Sequence, residues 1–325
     1  MLGLTAVGLL VGYLWERRSR EQAPGFPVMY EPSDQLGPVQ TAYVLDEKLP
    51  DKALVSTLLY QAEQGLTELR DQGDRRWDIL GLGTPEQWAA TDPVTRGVGE
   101  SLGVTTPGGS FAADGSAVSG LKLQTTQGEI KGLATSWATE AKVIAPNRFE
   151  LIAKGLVVIA MLLAGLVFVF NPLGMTIMGL PFTAFVTGGA AMLLAGVDTR
   201  RTAAGRDIWS RAGGFERLLS TSSSKDRLDF SARKDLYTSF IPFAVAFGCA
   251  GAWAAKYRMQ THQEPPSPLW FASPVGAGSS IGFGGSGDFS SFESSLSSSI
   301  GAYQATQSSS SSGGGDSGRG GGGSW

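Results

Sequence analysis

Histidine and cysteine carry much of the nucleophilic, acid–base and metal chemistry of proteins, and each occurs once in these 325 residues, as His262 and Cys249. A single thiol rules out an intramolecular disulfide and a thiolate zinc site. With no second His or Cys, Ser-His-Asp, Cys-His and His-rich zinc chemistries are all short of parts. Cys249 lies in the apolar stretch Phe247-Gly248-Cys249-Ala250 and reads as a small buried hydrophobe, while His262 lies in a Pro/Gln-rich connector. The carboxylate pairs Asp71/Asp74 and Glu63/Glu68 have a spacing that acid–base catalysis can use, but carboxylates at that density usually line a solvated face. No catalytic residue, metal or cofactor is therefore assigned, and no enzymatic activity is expected.

Cationic chemistry is better represented. Residues 198–264 carry 11 Lys+Arg against 7 Asp+Glu, a net of +4, whereas residues 16–150 carry 13 against 19, a net of −6. Arg200, Arg201, Arg206 and Arg211 directly follow an apolar run, where an excess of basic residues marks the cytoplasmic side of a membrane. Such residues can also contact anionic lipid headgroups, at about 1 kcal/mol each. The candidate interaction or lipid-contact set is these four arginines with Gly214, Phe215, Phe240, Phe243, Phe247 and Trp253. The plainer reading is that the arginines set topology and the aromatics pack.

The element that positions this set is a hydrophobic hairpin at 154–197. Lys154 precedes an apolar run from 155 to 170, Asn171-Pro172 breaks it, and a second run extends from 173 to 197. Each arm approaches the ~20 residues needed to cross hydrocarbon. No ionisable residue lies between 155 and 197, which suits an anchor better than a transport path; an oligomeric channel lined by Thr183 and Thr187 is the alternative. Ala160 and Ala164, Ala184 and Gly188, and Ala191 and Ala195 space small side chains so that backbones can approach closely. That favours antiparallel packing within the hairpin over a homo-oligomer contact.

Residues 1–15 are apolar and run into Glu16-Arg17-Arg18-Ser19-Arg20. Charge after the apolar stretch is the reverse of a cleavable signal peptide. The segment reads as a short membrane helix with its C-terminal end in the cytoplasm, in a chain expected to begin inside a helix that is longer in the complete protein. Residues 239–257 place Phe240, Phe243 and Phe247 on one helical stripe, but basic residues flank both ends. The segment is expected to be an amphipathic or re-entrant helix on the cytoplasmic face, with a third span as runner-up.

The cytoplasmic region, 16–150, reads as a small α+β domain. Leu54, Val55, Leu58, Leu59, Ala62, Leu66 and Leu69 share one helical face with Asp51 as cap. Two strands flank Gln72-Gly73-Asp74. Thr84-Pro85-Glu86-Gln87 forms a capping box, and Asp92-Pro93 opens a helix that ends at Gly103. Residues 107–120 read as a loop, and Ile130, Leu133, Trp137 and Ala141 mark a last helix. The Ser/Gly-rich stretch 258–325 offers too little apolar surface to fold and is expected to be a disordered tail. Residues 198–238 form a basic cytoplasmic segment between hairpin and helix.

Several of these residues carry a resemblance. Tyr30-Glu31-Pro32, the helix ending at Gln64-Gly65-Leu66 and the strand pair after it are similar to the cytoplasmic part of the domain-of-unknown-function 2207 (YciQ-like) predicted membrane proteins. Arg200-Arg201-Thr202 and Gly214-Phe215-Glu216-Arg217-Leu218-Leu219 resemble the family's G-F-x-x-(Y/F)-L motif. Ile241-Pro242-Phe243-Ala244 with Gly248 and Trp253 resembles its L-P-Y-A-x-A-x-G-x-x-x-x-W motif. Members usually carry a signal peptide and an extracellular β-rich domain before the first membrane helix; this chain departs from that pattern and is expected to start within that helix. The resemblance implies topology and a winged-helix-like cytoplasmic domain, but no activity.

The fold class expected is thus an α+β membrane protein of the cell membrane, multi-pass, with its soluble domain cytoplasmic. Its role is expected to be that of a membrane-anchored scaffold or signalling protein, contacting the lipid bilayer and membrane or cytoplasmic protein partners. A membrane-tethered winged-helix nucleic-acid binder is the alternative. The interleaving of Arg70, Arg75 and Arg76 with Asp71, Asp74 and Asp78 disfavours it, because phosphate contact needs unneutralised Lys and Arg.

Overall fold

The computed structural model describes residues 21–33, 36–73, 76–146, 148–170, 179–188, 199–221, 230, 235–266, 268, 271 and 272, and six helical positions between 6 and 14. Helix α1 spans Pro38–Asp46 and α2 Ala53–Glu63; strands β1 (Thr67–Gly73) and β2 (Arg76–Gly81) follow. Next come α3 (Pro85–Ala90), α4 (Pro93–Leu102), β3 (Ser110–Ala113) and the long helix α5 (Ala117–Glu140). After β4 (Ile144–Pro146) the chain forms α6 (Arg148–Phe170), α7 (Leu180–Gly188), β5 (Thr199–Arg201) and α8 (Ala203–Ser220). Helices α9 (Leu236–Ser239), α10 (Ile241–Ala246) and α11 (Ala250–Thr261) precede the two-residue strand β6 (Phe271–Ala272). The class is α+β, as the sequence indicated. Two compact units result: one holds residues 1–33, 41–49 and 135–217, the other 34–40, 50–134 and 218–325.

The second unit is built around α2, whose apolar residues Leu54, Val55, Leu58, Leu59 and Ala62 are all buried. Asp51 does not cap this helix. Lys52 occupies the N-cap and makes no side-chain capping bond; Pro50 and Lys52 carbonyls receive the first helical amides instead. Beyond α2, Leu69 on β1 pairs in register with Ile79 on β2, and both are fully buried. The four-stranded sheet runs β3-β2-β1-β6, with β6 parallel to β1.

Both helix starts written into the sequence are present. The Thr84 hydroxyl accepts from the Gln87 amide while the Gln87 side chain accepts from the Thr84 amide. Asp92 Oδ1 accepts from the amides of Val94 and Thr95, at 3.0 and 2.9 Å. Gly103 closes α4 in the left-handed conformation, φ 76°, which glycine reaches without steric cost. The expected loop at 107–120 is different: it contains β3, paired to β2, and the first turn of α5. Its Ser and Gly residues gave no strand pattern, and pairing with β2 supplies what propensity lacks.

The 239–257 segment is likewise not one amphipathic helix. It is broken at Phe240 and again at Gly248, where φ is +70°. All six residues of α10 are buried, and α10 packs on α2. The Phe243 and Tyr60 rings meet edge-on with centroids 5.7 Å apart. Apolar flanks that suggested a membrane surface are covered by the chain itself. Parts of the expected tail are also ordered, as the end of α11 and as β6; residues 273–325 lie outside the described residues.

In the first unit, β4 and β5 pair antiparallel, Ile144 opposite Arg201 and Pro146 opposite Thr199. These strands bring together the chain entering α6 and the chain returning after α7. Helices α6 and α7 pack on each other, with Ala160, Ala164 and Ala184 buried, so the small-residue spacing serves close helix approach. Thr183 and Thr187 hydroxyls donate to carbonyls of their own helical turn, Gly179 and Thr183. The Asn171-Pro172 turn and residues 189–197 lie outside the described residues. Among the described residues no helix is long and apolar enough to cross a membrane. The consecutive described side chains of α6 span 155–170, about 24 Å at 1.5 Å per residue.

Candidate functional site

The residues after the hairpin converge on one buried cation. Arg201, at the end of β5, has a side chain only 6 % exposed. Its Nε donates to the Val44 carbonyl and its Nη2 to the Leu45 carbonyl, each at 2.8 Å. Its Nη1 reaches Glu21 at 3.2 Å and Glu47 at 3.1 Å. Glu21 also receives Arg206 Nη1 at 3.0 Å, and Glu47 accepts the Thr199 hydroxyl. Two carboxylates thus face two guanidinium groups. Buried ions are tolerable only with that degree of pairing and hydrogen bonding, and the planar five-donor fork of arginine suits it.

The Trp209 ring lies beneath, 3.8 Å from the Arg201 guanidinium carbon, a cation–π distance. Phe26 meets Trp209 edge-on, with centroids 6.1 Å apart. From there segment 21–29 lies along α8. The Ser210 hydroxyl donates to the Gly25 carbonyl at 2.6 Å, and Arg217 Nη1 to the Phe26 carbonyl at 3.4 Å. A Cβ on Gly213 would run into the Phe26 ring, and one on Gly214 into the Pro27 carbonyl. The two glycines are where α8 must lack side chains for the segment to lie flat. Gly214-Phe215 is therefore a seat for this chain's own residues, with Phe215 fully buried.

The other candidates divide by exposure. Arg200 is exposed, and Arg211 is exposed and pairs with Asp207 one turn away at 3.0 Å. Arg206 is partly exposed. Phe240 and Phe243 are buried and Phe247 half-buried. Trp253 is wholly buried, donating its Nε1 to the Tyr237 carbonyl at 3.1 Å and stacking on the Tyr237 ring at 5.9 Å. Lys256 beside it is buried and donates to the Leu218 carbonyl at 2.8 Å. Of the ten candidates, then, Arg200 and Arg211 are exposed and Arg206 partly so, whereas Arg201 and most of the aromatics are buried in the fold.

Glu21, Glu47 and Trp209 were missed by sequence reasoning. A helical stripe, Gly205, Trp209, Ala212 and Phe215, was the available signal for the last, hidden in a segment read for its charge. The nucleic-acid alternative loses its reading element: every residue of α2 except Tyr60 and Glu63 is buried, leaving no face to enter a groove. Burial also drives Tyr60 up to about 12 and raises the Glu63 and Asp92 carboxyls above their ordinary range. Among the described residues no group of three or more His, Cys, Asp or Glu is placed to hold a metal.

No curated protein and no solved structure matches the chain. Residues 27–257 match the family described as predicted membrane protein (DUF2207) C-terminal domain. That stretch takes in the hairpin, the seat on α8 and the buried α9–α11 cluster, and the chain belongs to this family of predicted membrane proteins.

Proposed function

We propose that the protein is a membrane-anchored scaffold. The hairpin 154–197 and the N-terminal helix, both parts of the first unit, insert in the bilayer, and the rest of the chain is presented in the cytoplasm to protein partners. The observation that carries this is the surface of α6. Leu156, Val158, Ile159, Met161, Leu162, Leu163, Leu166, Phe168, Val169 and Phe170 are each more than 40 % exposed. A contiguous apolar surface of that extent is not left to water by a stable protein, and hydrocarbon is the solvent it suits. Membership in a family of predicted membrane proteins supports the same reading.

The Arg201 cluster then acts as a clasp at the foot of the anchor. It ties the residue that follows the N-terminal helix (Glu21) to the strand that follows the hairpin and to the end of α1. A displacement of either membrane element would pull on the same guanidinium, which suits a relay of signals to the cytoplasmic part of the chain. Arg200, Arg206 and Arg211 meet anionic headgroups. Alkaline extraction of membranes from cells expressing the full chain tests the anchor. The protein is expected to stay with the bilayer, and quantitative release into the supernatant would refute insertion.

A further inference from the structure

Helix α8 carries one narrow face built to hold an extended chain. Arg206, Ser210, Gly213 and Arg217 recur at intervals of 4, 3 and 4, which places them within an arc of about 60°. A helix face that packs into a core is apolar; this one is three hydrogen-bond donors and a glycine. All three donors engage the same short segment of the first unit. Arg206 Nη1 donates to the Gln22 carbonyl at 3.2 Å, and Ser210 and Arg217 donate to the Gly25 and Phe26 carbonyls. Gly213 and Gly214 leave room for the Phe26 ring and the Pro27 carbonyl.

The segment is held as a peptide ligand is held. Among the described residues, 21–30 make no backbone–backbone hydrogen bond, join no helix or strand and include no buried residue. A stretch secured that way opens at the low end of the free-energy scale. Pro24 and Pro27 give it a P-x-x-P spacing, whose fixed φ angles reduce the entropy lost on docking to an aromatic-lined groove. Two side chains select it: Glu21 on Arg201 and Arg206, and Phe26 on Trp209. Every other polar contact goes to a carbonyl that any sequence would offer.

We propose that this face of α8 is a peptide-recognition seat, with segment 21–29 lying in it as an internal competitor. The partner it fits is a protein with an extended segment bearing a carboxylate and, five residues on, an aromatic ring followed by proline. Charge favours that choice, since Arg201, Arg206 and Arg217 all face the segment. The inference names the partner chemistry of the scaffold proposed above and rests on that reading. Insertion of the hairpin does not enter the measurement below, so its outcome is separate from that of alkaline extraction.

The test uses the full chain in detergent micelles and an acetylated, fluorescein-labelled peptide of residues 21–30, read by fluorescence anisotropy. Phe26→Ser in the chain weakens the internal competitor and is expected to tighten peptide binding about tenfold over the parent chain. A peptide with Glu21→Gln and Phe26→Ser is expected to bind that chain about tenfold more weakly. Binding to neither chain, or equal affinity for the two peptides, would overturn the proposal. A second arm leaves Phe26 in place and carries Met29→Cys with Cys249→Ser. Unlabelled peptide above the roughly millimolar local concentration of a tethered segment is expected to speed maleimide labelling of that thiol severalfold. An unchanged rate contradicts displacement. Dimers of the parent chain that the peptide dissolves would assign the seat to a second copy's segment and overturn a partner protein as its occupant.

Discussion

Two apolar stretches of this chain look alike in composition and end in opposite environments. Residues 155–170 run without a break as α6 and show most of their large side chains outward. Residues 236–254 are also largely apolar, yet α10 within them is buried at every position. Two physical differences separate them. The second stretch is interrupted by turns at Phe240 and Gly248, so no piece is long enough to satisfy a hydrocarbon layer. It also has partners in its own unit: Tyr60 for Phe243, and Tyr237 and Phe230 for Trp253. Among the described residues α6 packs against α7 and buries Val157, Ala160 and Ala164, while most of its large side chains stay exposed. Hydropathy measures the need for burial. Interruption and available partners decide whether protein or lipid meets it.

The sharpest way to break this comparison is to remove one large side chain from each stretch. Trp253→Ala should cost about 3–5 kcal/mol, read by chemical denaturation of the detergent-solubilised protein. Leu162→Ala, 69 % exposed, should stay within about 0.5 kcal/mol. Equal losses would mean that both stretches are core. Close behind is Arg201→Met, which takes the buried guanidinium from Glu47 and leaves Glu21 with Arg206 alone, and should cost about 3 kcal/mol. The same change combined with Glu47→Gln should recover part of that, because one unpaired carboxylate goes with it.

Gly214→Ala should destabilise by about 1–3 kcal/mol, since a Cβ there meets backbone that cannot swing aside. A temperature midpoint unchanged by this substitution would remove segment 21–29 from its seat on α8. Asp92 yields a smaller and pH-dependent effect. Burial holds its carboxyl above the ordinary range, so ionisation is costlier folded than unfolded. That cost is in force above the folded pKa and is relieved as pH falls through it. Asp92→Asn keeps an oxygen for the Val94 and Thr95 amides. It should therefore match or exceed the parent at pH 7 and lose that advantage towards pH 4, in paired denaturation curves. Smallest is Gly128→Ala on the exposed side of α5, where a Cβ meets nothing within 4 Å and helix propensity should stabilise by about 0.5–1 kcal/mol.

What could be read from the sequence is what is local. The Thr84 box, the Asp92 cap and Gly103 are signals spanning three to ten residues, and each stands where its spacing put it. The stripe of α2 through Ala62 and the β1–β2 pair were legible for the same reason, but Leu66 and Leu69, read as the same helical face, lie beyond the helix end at Glu63, Leu69 on β1. The clasp was not, because Arg201 and Glu21 are 180 residues apart and nothing near either names the other. Strand β3 is drawn from Ser, Phe and Ala and exists through its pairing with β2. Nor could the candidate aromatics be assigned: Phe240 and Phe243 lie on a stripe that suits a bilayer surface as well as it suits α2. Charge counts located the arginines, but only the fold shows that one is buried and that Arg200, Arg206 and Arg211 keep exposed surface.

If the hairpin is an anchor with the second unit on the cytoplasmic side, labelling from outside the cell tests that placement most directly. In cells expressing the full chain with Cys249→Ser, a membrane-impermeant maleimide should reach Asn171→Cys in intact cells. It should reach Gln127→Cys, on the exposed face of α5, only after lysis. Labelling of Gln127→Cys in intact cells, or protection of Asn171→Cys until lysis, would contradict the account.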